Sequence, residues 1–79
     1  MVTVSLAKEH FFAVRRRLRA EGNEVFMEVD RKKYMLHLQA GCHRQIYLVH
    51  AAEERNGELY DISEGVMKYA LLNLFLAQY

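Results

Sequence analysis

One thiol and three imidazoles are the residues of this chain that most invite chemistry: Cys42 and His43, with His37 and His50. Thiolate and imidazole are zinc ligands, but a structural site takes four of them, usually paired as C-x-x-C or H-x-x-x-H. Neither spacing occurs. In the strand register argued below, His37 and His50 also fall on opposite faces of a sheet, so no metal ligand is assigned. Carboxylates are the second candidate. Glu53, Glu54, Asp61 and Glu64 surround an Asn56-Gly57 pair. Paired carboxylates do acid–base work only where a pocket shifts their pKa values. On a hairpin tip they are solvated charges, and a chain of 79 residues has little room for a pocket. No Gly-rich phosphate loop, G-x-S-x-G elbow or H-E-x-x-H helix is present. The sequence therefore predicts no catalytic residue, no cofactor and no enzyme.

Positive charge is more clustered. Arg15, Arg16, Arg17 and Arg19, with Arg31, Lys32 and Lys33, hold seven of the eleven basic residues. A clustered basic patch binds phosphate through counterion release. The contacts would be Arg15, Arg16, Arg19, Lys32 and Lys33. Glu21, Glu24 and Glu28 lie close enough in sequence to offset them, and the net charge is only +1. Nucleic-acid binding is thus the alternative expectation rather than the leading one.

The leading one comes from the C-terminus. Val66 to Tyr79 reads VMKYALLNLFLAQY, with Lys68 its only charge. A surface helix keeps a polar face, whereas this one is apolar nearly all the way round. A chain this small covers one face of such a helix but not two, because it buries only ~60% of its unfolded surface. The second face points to a partner, most simply another copy. The contact face expected here is Met67, Leu71, Phe75 and Gln78. The run is shorter than the ~18–20 residues of a membrane span, and Lys68 and Asn73 interrupt it.

These residues must be positioned by a small set of elements. Ser5 is placed to cap a helix over residues 6–21, with Leu6, Ala7, Phe11, Val14 and Leu18 on one stripe and Gly22-Asn23 as its stop. The rival reading makes Val2, Val4 and Leu6 a short first strand. After Gly22 the apolar period falls to two, giving three strands with turns at Asp30–Lys33 and Gly41–His43. Asn56-Gly57 predicts a hairpin that adds a short fourth strand at 58–62. Ser63 would cap a final helix from about Glu64. A four-residue first turn pairs Val25 with Leu38, and a three-residue second turn pairs Leu36 with Leu48. That register aligns Phe26, His37 and Tyr47 across the face away from the helices, with Met35 beside them. Phe26, Met35, His37 and Tyr47 therefore form the second expected contact surface.

The order of elements predicts an α+β two-layer sandwich in one domain over residues 1–79, with both helices on one face of an antiparallel meander. This order resembles the double-stranded-RNA-binding domain in topology. That family carries a run of lysines at the start of its last helix, where this chain has Glu64, Gly65, Val66 and Met67 before Lys68. With 52% apolar and 27% charged residues, the composition is that of a folded soluble protein. A single cysteine excludes an internal disulfide framework and fits a reducing cytoplasm. The expected protein is a small cytoplasmic, non-enzymatic interaction module. It acts as a homodimer or by docking on a larger protein, without a membrane anchor.

Overall fold

The computed structural model describes residues 2–79. In chain order the elements are β1 (Val2–Ser5), α1 (Lys8–Glu21), β2 (Glu24–Val29), β3 (Lys32–Ala40), a 3-10 turn (Cys42–Arg44), β4 (Gln45–Arg55), β5 (Glu58–Asp61) and α2 (Gly65–Leu76). Two helices and one antiparallel sheet of five strands make an α+β fold. The strand order is β1-β4-β3-β2, and β5 also pairs with β4. The eleven residues of β4 explain this arrangement. One edge of β4 pairs with β3 along its length. The other edge is shared, with β1 on Gln45–Leu48 and β5 on Ala52–Arg55.

The first strand corrects the expected helix start. Ser5 caps nothing; it pairs with Gln45. Ala7 is the N-cap of α1 and makes no side-chain cap hydrogen bond. Val2 and Val4 pair with Leu48 and Ile46. Two β-branched residues thereby satisfy an edge that a helix beginning at Leu6 would leave open. The extra strand also departs from the order of the double-stranded-RNA-binding domain. Glu64, not Ser63, is the N-cap of α2, again without a side-chain bond.

Both hairpin registers differ from expectation by two residues. The first turn is Asp30-Arg31 alone, with φ of 51° and 66°, so Val29 pairs with Lys32 and Val25 with Leu36. Two consecutive left-handed residues form the turn whose twist matches a right-handed hairpin. After the 3-10 turn, Leu38 pairs with Leu48. Two is even, so the aliphatic side chains stay on the helix face. The register then shifts, and Val49 has no partner. This bulge sends Ala51 rather than His50 into the core. Arg31 occupies its left-handed conformation at a cost that glycine avoids. Arg31→Gly is expected to stabilise the protein by up to about 1 kcal/mol, raising Tm by roughly 4–8 °C in a thermal melt.

Both helices pack on one sheet face. The core joins Phe11, Val14 and Leu18 of α1 and Leu71, Leu72, Phe75 and Leu76 of α2 to the inward side chains of β2, β3 and β4. α1 begins where β1 ends and finishes where β2 begins, so it crosses the sheet from edge to edge. Gly22 ends it with φ 72°, its N–H bonding Leu18 O. Two polar contacts lock the helices together. His10 Nε2 donates to the carbonyl of Leu76 at 2.8 Å, satisfying an end carbonyl of α2. Arg17 lies over the Phe75 ring at 5.0 Å and donates to Glu21 and the Tyr79 hydroxyl. Partial burial disfavours the Arg17 charge, but Tyr79 and Glu21 outweigh it and raise its pKa above the usual arginine value.

Candidate functional site

α2 is an apolar helix with two fates. Leu71, Leu72, Phe75 and Leu76 lie about 100° apart per residue on the side that faces the sheet. Leu71 is 2% exposed and Phe75 0%, so two members of the expected contact face belong to the core of their own chain. This corrects the face by roughly a third of a turn. The outward side presents Val66, Met67, Tyr69, Ala70, Asn73, Leu74 and Ala77. Val66 is 84% exposed and Leu74 47%. Lys68, the only charge, is half-buried beside the inward stripe, so the outward side carries no charge at all. Met67 of the expected set lies on that side, and Gln78 is exposed at its margin. Along one flank, Met67, Ala70 and Leu74 border a groove of about 250 Å³ whose other wall is Val29, Asp30, Lys32 and Tyr34.

The expected aromatic row on the sheet does not form. Phe26, Met35, His37 and Tyr47 do share the face away from the helices, but they lie in different rows. Phe26 stands opposite Met35, which stands opposite Ala52. His37 stands between Glu24 and His50, and Tyr47 between Gln39 and Thr3. The two-residue shifts of the two hairpins separate them. Met35 is buried, and the side chains around it in the register are Phe26, Ala52, His37, His50 and Lys33. The Tyr47 ring lies so close against Gly41 that a Cβ there would overlap it, and its hydroxyl donates to Gln45. Phe26, at 55% exposure, is what stands free of the expected row. The face is otherwise crossed by polar rows such as Glu28-Lys33-Glu54.

His37 and His50 are direct cross-strand partners, contrary to the expectation that they face apart. The bulge reverses His50, whose Nε2 meets Asp61 Oδ1 at 2.7 Å. Among the described residues no group of three or more His, Cys, Asp or Glu is arranged to hold a metal ion. The carboxylates near Asn56-Gly57 have local partners. Glu53 pairs with Arg55 at 3.1 Å, and Glu54 accepts the Gly57 N–H at 2.7 Å.

The basic residues fall into two separate groups. Arg15, Arg16 and Arg19 lie together on α1, around Phe12, with the Arg15 guanidinium 4.7 Å from that ring's centre. The ion pairs among the described residues join Arg17 to Glu21, His50 to Asp61 and Arg55 to Glu53, so all three arginines are unpaired. Lys32 and Lys33 lie at the far end of β2, a strand of six residues or about 20 Å. There they share a cleft with Glu28, Glu53 and Glu54. The five residues expected to form one phosphate surface are therefore not brought together: the lysines stand apart from the α1 arginines, in a cleft that also holds Arg31, Arg55 and the three glutamates.

Comparison with protein families, characterised proteins and solved structures finds no match to this chain. Among the described residues, no helix is long and apolar enough to cross a membrane. Sequence reasoning missed the cleft between α1 and the end of β3, which brings Asn23 and Gln39 to the arginines. No sequence spacing joins residues 15, 23 and 39; only the crossing of α1 over the strand ends does so.

Proposed function

We propose that this protein is a non-enzymatic interaction module that works as a homodimer through the outward side of α2. The observation that carries this reading is that α2 is already packed on its own sheet and yet bears no charge on the opposite side. A solvated helix face is normally charged. Residues Met67, Ala70, Leu74 and Ala77 recur at intervals of three, four and three, the spacing of a helix–helix seam. Ala77, at the C-cap, keeps helical geometry with φ −68° and ψ −10°.

A second copy suits this seam. When two such helices run antiparallel about a two-fold axis, Met67 meets Ala77 and Ala70 meets Leu74. Every level then sets a large side chain against a small one, as self-complementary packing requires. Asp30 and Lys32 stand only across the flanking groove, so a charge brought onto the helix stripe itself meets no partner on α2. The free sheet edge at β2 is less suited, because exposed Glu24 and Glu28 discourage strand pairing. An exposed free thiol at Cys42 agrees with a reducing, cytoplasmic setting. Solution mass, measured by light scattering after size exclusion, tests the reading. A dimer is expected in both low and moderate salt, since apolar contacts are not screened. A monomer at both would remove self-association and leave the face to a larger protein.

A further inference from the structure

A second surface is independent of the α2 seam. α1 crosses the strand ends so that its Arg15 and Arg19 overhang the end of β3. Between them lies a cleft of about 420 Å³, within the range of small-ligand sites. Its polar lining is Arg15, Arg19, Asn23 and Gln39, and its apolar lining includes Phe11 and Leu18. No carboxylate lines it. Neither arginine has an ion-pair partner among the described residues. Asn23 is held in place through its backbone, its N–H bonding Leu18 O and its carbonyl accepting Leu38 N–H, both at 2.9 Å. Arg15 is braced against Phe12 and Phe11, at 4.7 and 5.8 Å. Stacking of this kind fixes a guanidinium before a ligand arrives and lowers the ordering cost of binding. Arg19 has a structural use as well, since a cation in the last turn offsets the negative end of the helix dipole. That use accounts for neither Arg15 nor the two amides.

We propose that this cleft binds an organic phosphate ester, its phosphate held between Arg15 and Arg19 and its organic part met by Asn23, Gln39 and the apolar floor. Two planar guanidinium forks match phosphate oxygens in bidentate geometry. Side-chain amides donate and accept, so they suit the hydroxyls and ring edges of a nucleotide better than bare phosphate. A free nucleotide and the phosphodiester of a single strand share this chemistry.

Backbone and side-chain amide NMR of the full chain tests the proposal, with adenosine monophosphate and a thymidine dodecamer titrated separately at low salt. Saturable shifts are expected at Arg15, Arg19, Asn23, Gln39 and Gly41. Arg15→Gln and Arg19→Gln should each weaken binding at least about tenfold, the scale of a lost charge-assisted bond. Lys32→Gln and Lys33→Gln change the charge equally at the far end of the sheet and should alter it less than about twofold. Arg19 is exposed, so its variant is expected to fold even where the stacked Arg15 proves less tolerant. Binding of the monophosphate identifies a nucleotide site, and binding of the dodecamer alone identifies a strand's backbone. The proposal is overturned if neither ligand shifts the cleft, if the lysine variants lose as much as the arginine variants, or if Arg19→Gln leaves affinity unchanged.

Discussion

If the proposed α2 seam forms, Leu74→Glu is expected to leave a folded monomer in place of a dimer. In the isolated chain Leu74 is 47% exposed, and leucine and glutamate have similar helix propensities. The change should therefore move monomer stability by no more than about 0.5–1 kcal/mol. In the proposed antiparallel pair the same position meets Ala70 of the other copy, so each copy would bring a carboxylate against an apolar stripe of α2. Burying a charge without a partner costs several kcal/mol. A loss of only about 2.7 kcal/mol already weakens the dimer some 100-fold. Light scattering should report the mass of one chain at concentrations where the unaltered protein is paired. Circular dichroism should keep its helical signal. A variant that stays dimeric removes the seam, and one that unfolds assigns Leu74 to the core.

The neighbouring residue should behave in the opposite way. Phe75 is fully buried, with its ring beneath the Arg17 guanidinium and 5.5 Å from that of Tyr79. Phe75→Ala empties the junction of α1, α2 and the sheet. Such truncations cost about 3–5 kcal/mol, because the walls of the cavity only partly collapse. At ~0.05–0.15 kcal/mol per residue, a chain of this length holds about 4–12 kcal/mol in all. Most or all of the folded state is at risk. A thermal melt should show Tm lowered by more than about 12 °C, or no cooperative transition. A Tm within a few degrees of the parent would mean that α2 turns its other side to the sheet. Leu74 and Phe75 are adjacent in sequence, so the contrast between them tests the orientation of α2 directly.

That orientation is what the amino-acid pattern could not supply. A helix that is apolar on all sides has no polar face to set against an apolar one, and no periodicity says which stripe meets the sheet. The reading of Leu71 and Phe75 as contact residues failed for this reason. α1 was legible because Phe11, Val14 and Leu18 oppose a charged face, and those three are its buried residues. Asn56-Gly57 was legible because left-handed turns favour those two residues, and they carry φ of 53° and 85°. Asp30-Arg31 was not, because arginine gives no such signal. The polar run Asp30–Lys33 reads as a four-residue turn, whereas the chain turns on Asp30-Arg31 alone.

Local pattern was enough to set the α+β class, the inward set of aliphatic side chains and the excess of apolar surface on the last helix. Each of these depends on period or composition over a short stretch, which a shift of two residues leaves intact. Long-range packing settled the remainder. Pairing along both edges of β4 made Val2–Ser5 a strand, because an open edge there had to be satisfied. The two-residue shifts of both hairpins dispersed the expected aromatic row, and the Val49 bulge set His50 beside His37. The path of α1 over the strand ends placed Arg15 and Arg19 beside Gln39 and left Lys32 and Lys33 among carboxylates about 20 Å away. These are all relations between residues distant in the chain, and they arise only when packing chooses among registers that local preference leaves equal.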